Sequence, residues 1–103
     1  MVTKGKPNSM RVMGKNYKIL HLNLQGKGGG GMDLYGDLQY RTNLIRVEKS
    51  LCRDQMTDSL IHEALHAIDD SLCIGLKEKQ IRAISAFVLD IISENPHIFG
   101  RKR

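Results

Sequence analysis

The sequence predicts an α+β fold: a small antiparallel β-sheet from the first half, packed against two antiparallel helices from the second. Three observations carry this prediction. Up to Val47 the apolar residues alternate or cluster in short runs broken by glycine. From Asp54 onward they recur at helical spacing. A short link around Ile74-Gly75-Leu76 divides that helical half, which favours antiparallel neighbours packed on one sheet.

In chain order, Met10 to Met13 and Tyr17 to Leu24 read as two strands around Gly14-Lys15-Asn16. In the second strand Tyr17, Ile19 and His21 fall on one face, with Lys18, Leu20 and Leu22 on the other. The run Gly26-Lys27-Gly28-Gly29-Gly30-Gly31 suits no regular element and reads as a plain hairpin loop. It lacks the Gly-Lys-Ser/Thr ending of a phosphate loop. Met32 to Gly36 and Asn43 to Val47 read as two further strands, with Tyr40-Arg41-Thr42-Asn43 in or beside the turn between them. The first helix has Asp54 as a candidate N-cap, a stripe through Leu60 or Ile61, Ala64 or Leu65, Ile68 and Leu72, and Gly75 as its stop. The second starts near Lys77, carries Ile81, Ile84, Val88, Ile91 and Ile92, and ends before Asn95-Pro96.

The 103 residues fit one domain. Expected limits are a basic N-terminus over 1–9, the domain over 10–96 and a basic tail over 97–103. The net charge of +5 resides at the two ends. Basic ends can contact nucleic acid through phosphates, although solvated termini account for them more simply. No apolar run is long enough to span a membrane, and no apolar segment follows the basic start. The expected compartment is therefore the cytoplasm. Two cysteines, Cys52 and Cys73, are too few for a disulfide scaffold and are expected as reduced, buried thiols.

The chemistry is concentrated in His62-Glu63-Ala64-Leu65-His66, an HExxH pattern on the first helix. Residues four apart lie one turn apart on one face, so two imidazoles can converge on one zinc ion. Glu63, next to the first histidine, can reach a water at that zinc without being a ligand and serve as the general base. Catalytic zinc usually takes a third protein ligand. Asp69, Asp70, Glu78, Asp90 and Glu94 follow the motif. Asp70 lies about 12 Å along the helix from His62 and is poorly placed. The extended histidine pattern needs glycine at position 69, where this chain has Asp. A simple antiparallel register favours Asp90 and a steep crossing favours Glu78, and geometry alone leaves both open. Tyr35 or Tyr40 could donate to an oxyanion, against the plainer reading of strand packing. Cys73 has a spacing to His66 that matches no common zinc finger.

Three segments, Leu34-Tyr35-Gly36-Asp37, Asn43-Leu44-Ile45-Arg46-Val47 and Asp58 through Asp69 around HExxH, resemble small phage and bacterial proteins of the ImmA/IrrE-type metallopeptidase group. The run from Leu76 to Ile81, continuing to Ser93-Glu94-Asn95-Pro96, is similar to that group's closing helix. The resemblance covers about residues 10–96. It implies a zincin-like fold and a zinc metallopeptidase acting on a protein or peptide. It also implies a third ligand at the acidic start of the closing helix, which here matches Glu78, ahead of Asp90. The glycine-rich insertion and the lack of a separate specificity domain depart from the group. They keep open a second function, a catalytically silent binding or regulatory protein on the same scaffold, belonging to a phage or mobile element.

Overall fold

The computed structural model describes residues 6–99. It is an α+β arrangement with four strands followed by helices. Strand β1 (Ser9–Val12) pairs antiparallel with β2 (Lys15–Leu22). They turn on Met13 and Gly14, both with positive φ, as a two-residue hairpin requires. Tyr17 and Ile19 on β2 point into the core as their alternation predicts.

After β2 the chain runs through the glycine-rich segment, which forms one 3-10 turn at Gly29–Gly31. It then enters β3 (Gly36–Gln39), turns at residues 40–43 and returns as β4 (Leu44–Glu48). The sheet order is β1-β2-β4-β3. Strand β4 runs parallel to β2 and antiparallel to β3, so the sheet is mixed rather than antiparallel. The third strand also lies later than the expected Met32 to Gly36.

The apolar content of the strands explains the order. Ile45 and Val47 are almost completely buried, so β4 takes a central position. Polar Gly-Asp-Leu-Gln forms β3 and takes the edge. The glycine-rich segment is therefore not a hairpin loop but a crossover past the end of β4. Glu48 anchors it: its buried carboxylate accepts the Leu24 N–H at 2.6 Å and the Ser50 hydroxyl at 2.6 Å. These hydrogen bonds hold the Glu48 carboxyl below the usual carboxylate range.

Helix α1 spans Arg53–Leu72 and α2 spans Glu78–Glu94. A four-residue helix, α3 (Pro96–Phe99), follows. The N-cap of α1 is Cys52 rather than Asp54, which sits in the first turn. Both long helices begin alike: the third helical residue, Gln55 or Gln80, accepts the N-cap N–H through its side chain. The first helix ends earlier than Gly75, with Cys73 in the left-handed conformation.

Helix α1 covers the sheet, and its Leu60 and Ala67 join Val12, Tyr17, Ile19, Ile45 and Val47 in one core. Helix α2 packs on α1 and not on the sheet, contrary to the expectation that both helices cover it. Ile81 and Ser85 are its buried residues, and Ile92 is largely exposed. Of the expected stripe, Leu60 is buried and Ala64 and Ile68 pack against the core, whereas Leu72 is exposed. Cys52 and Cys73 are free and exposed rather than buried. The outermost parts of the two basic termini, 1–5 and 100–103, lie outside the described residues. No helix among the described residues is long and apolar enough to cross a membrane.

Candidate metal centre

His62 and His66 sit one turn apart on α1, their rings edge to face with centroids 4.9 Å apart. Across from them stands Glu78, the first residue of α2. His62 Nε2 lies 2.8 Å from Glu78 Oε2, and His66 Nε2 lies 3.1 Å from Glu78 Oε1. The two Nε2 atoms are 3.2 Å apart. Ligand atoms of the three residues all lie within 4.8 Å of one another, and the group could hold a metal ion.

No arrangement of protons puts a hydrogen bond on all three edges of this triangle at once. Each Nε2 carries at most one hydrogen. If both imidazoles donate to Glu78, the two N–H groups face each other across the third edge. If either gives up its Nε2 proton, its lone pair faces the carboxylate instead. A cation among the three atoms removes the conflict. Tetrahedral bonds of about 2.0–2.2 Å to nitrogen and oxygen put neighbouring donors about 3.3 Å apart, close to the spacing present. Two imidazoles and a carboxylate form a borderline donor set of the kind zinc accepts.

The register that creates this group follows from the inter-helix link. Asp69 Oδ1 accepts the N–H groups of Gly75 at 2.8 Å and Leu76 at 2.9 Å. The link is thereby tied to α1, and α2 starts directly opposite the histidines. Further along, the Ser85 hydroxyl donates to Asp58 Oδ1 at 2.8 Å and fixes the antiparallel alignment. Asp90 consequently lies at the far end, in a groove with Asp54 and Asp58, and is not in the cluster. The simple register that favoured Asp90 fails because the link, held by Asp69, runs back along α1 before α2 begins. Asp70 is exposed and takes no part.

Glu63 occupies a different position from its neighbours. It is 6% exposed and lies on the sheet-facing line of α1 between Leu60 and Ala67. Gly36 on β3 faces it: a Cβ there would lie 3.6 Å from Glu63 Oε2 and 3.2 Å from the Arg46 carbonyl oxygen. Glu63 makes no side-chain hydrogen bond among the described residues. Burial, with contributions from Asp37 and Glu78, pushes its carboxyl up to about 7. Burial also lowers the His62 imidazole from its ordinary value, despite the opposing attraction of Glu78.

Two clefts meet at this centre, sharing Gly36, His62, Glu63 and Glu78. One, of about 530 Å³, extends past Tyr35 and Asp58. The other, of about 360 Å³, extends past Leu38 and Tyr40. Strand β3, an edge strand, runs along the smaller cleft through Gly36, Asp37 and Leu38 and meets the larger one at Gly36. Tyr40 donates its hydroxyl to the His66 carbonyl at 3.2 Å and braces that turn of α1. Tyr35 is exposed on the larger cleft.

Arg82, Gly36 and Asp37 have places at the centre that the motif did not single out. Arg82 Nε lies 3.1 Å from Glu78 Oε2, an i,i+4 pair whose spacing is visible in the sequence. A glycine within a strand pattern is a signal of close backbone approach, and Gly36 fits it. Asp37 acts on Glu63 through space while its own carboxylate is paired with Arg46; nothing in the sequence marks that role. The chain matches no family model, no curated protein and no solved structure in the three comparisons made.

Proposed function

We propose that the protein is a zinc metallopeptidase that cleaves a peptide bond with water, acting on a protein or peptide laid along β3. The observation that carries this reading is the convergence of His62, His66 and Glu78 from two helices, with the unpartnered carboxylate of Glu63 beside them. His62, His66 and Glu78 would be the ligands. When bound, zinc supplies Lewis acidity, polarising the scissile carbonyl and making water a nucleophile near neutral pH.

The chain's own groups supply the rest. An extended peptide pairs with the open N–H and C=O groups of β3 by strand addition. That places one of its carbonyls above Gly36, where no side chain obstructs it. Glu63 accepts the proton of the attacking water and hands it to the leaving amine. Arg82 holds the second oxygen of Glu78 and orients that carboxylate. Tyr40 fixes the carbonyl of His66 and with it the last turn of the motif.

The deciding experiment measures zinc per chain by elemental analysis and cleavage of a peptide pool by mass spectrometry, for wild type and Glu63→Gln. Zinc in both, with cleavage in wild type alone, supports the assignment. Zinc in both with cleavage in neither selects the silent binding or regulatory protein. Equal cleavage by both removes Glu63 from its role.

A further inference from the structure

The larger cleft carries charge that the metal group does not use. Asp33, in the segment entering β3, and Asp58, on α1, both line it. Asp58 is half-buried, and its Oδ1 accepts the hydroxyl of Ser85, which is itself buried. Its carboxylate is thus locked in place, while Oδ2 has no hydrogen-bond partner among the described residues. Asp33 likewise commits only Oδ1, to the Gly26 N–H at 3.0 Å. Arg82, the one cation on this lining among the described residues, is engaged by Glu78. Glu63, the general base of the proposed reaction, borders this cleft as well. It is nine-tenths buried, without a partner, and opens into the same cleft. A buried carboxylate in that state is costly unless water or a ligand faces it.

We propose that this cleft receives a lysine or arginine side chain of the bound peptide. The inference rests on the peptidase reading of the centre and adds to it the residue class beside the cleaved bond. Leu34 and Tyr35 offer an apolar wall for the aliphatic stem. Asp58 and Asp33 accept from the ammonium or guanidinium at its end. A glutamate there would meet two carboxylates, and an aliphatic side chain would displace their water and return nothing.

The test uses the full chain supplied with zinc and fluorescein-labelled octapeptides of alanine and glycine carrying one central lysine, norleucine or glutamate. Binding is read by anisotropy with Glu63→Gln, and cleavage of the same peptides by mass spectrometry with wild type. The lysine peptide is expected to bind about tenfold more tightly than the norleucine peptide, the glutamate peptide least, as a close charge pair at a recognition site gives. Adding Asp58→Asn should reduce that preference to about twofold or less. Asparagine keeps an acceptor for Ser85, so the fold is retained; unchanged circular dichroism checks this, and Asp33→Asn is the second variant. Equal binding of lysine and norleucine peptides, no binding of any, or a preference that survives both substitutions together overturns the proposal. A lysine preference without cleavage overturns only the peptidase reading. Cleavage without a basic preference overturns only the cleft assignment.

Discussion

The Asp69 carboxylate accepts the backbone N–H of Gly75 at 2.8 Å, and this bond sets where α2 begins. Because Glu78 is the first residue of α2, a side chain three residues beyond His66, less than one turn, controls the reach of the proposed third ligand. Asp69→Ala should cost about 1–2 kcal/mol, the value of a charged acceptor lost from backbone donors. It should also weaken zinc binding about tenfold, as loss of ligand orientation does. Thermal melts and a chelator competition read the two effects. Asp69→Asn, which keeps an acceptor, should recover most of both; unaltered zinc affinity in the alanine variant would show that the link does not position Glu78.

His66→Ala and Glu78→Ala should lose bound zinc, whereas Asp90→Ala should keep it. Elemental analysis of protein purified without chelator distinguishes the three. Retention of zinc by Glu78→Ala, or its loss from Asp90→Ala, would reverse the assignment of the third ligand.

Acid–base linkage at Glu63 gives a signed prediction for the metal-free chain. The ordinary value for this carboxyl is 4.5, and in the fold it is pushed up to about 7. Between those values the folded chain holds a proton that the unfolded chain has released. Stability therefore falls as pH rises through this window and levels off above it. The full effect is on the order of 3 kcal/mol. Urea unfolding with chelator at about pH 5 and pH 8 tests it against Glu63→Gln, in which this slope should vanish. Identical slopes in both proteins would contradict it.

Gly36→Val should lower cleavage far more than stability. Its side chain would enter the space between β3 and Glu63, where even a Cβ lies 3.2 Å from the Arg46 carbonyl oxygen and 3.6 Å from Glu63 Oε2. We expect at least a tenfold loss of kcat/KM, the scale of a misplaced catalytic group, with zinc retained. Full activity in this variant would mean that peptides do not pass over Gly36.

The helical half was legible in some detail. The spacing of His62 and His66 and the short link are local features, and local features survive in a sequence. The burial of Glu63 was not, because a charged residue between Leu60 and Ala67 runs against apolar periodicity. A polar residue held at a functional site breaks the pattern used to find the core. The strands themselves were recognisable, with β3 displaced. Their order was not, since alternation in β2 and β4 says which faces are buried and not which edges meet. The parallel pairing of β2 with β4 depends on a crossover whose anchor, Glu48, reads in sequence as an ordinary surface acid. The third ligand illustrates the same limit: Glu78 and Asp90 differ only through Asp69 and Ser85, neither of which belongs to the motif.

Helix α2 rests on α1 and leaves the sheet untouched. It is held there by buried Ile81 and Ser85, by half-buried Ile84 and Val88, by the Asp58 latch and by the group of His62, His66 and Glu78. An ion bound there would act as a rivet joining α2 to α1. Removing it should release that segment before the sheet and α1 give way, a sub-global opening of the kind amide exchange detects. Protection in α2 would then depend on zinc, while protection in β4 would not. In such a protein, depletion of the ion silences the centre and also presents a loosened C-terminal segment to any protease nearby.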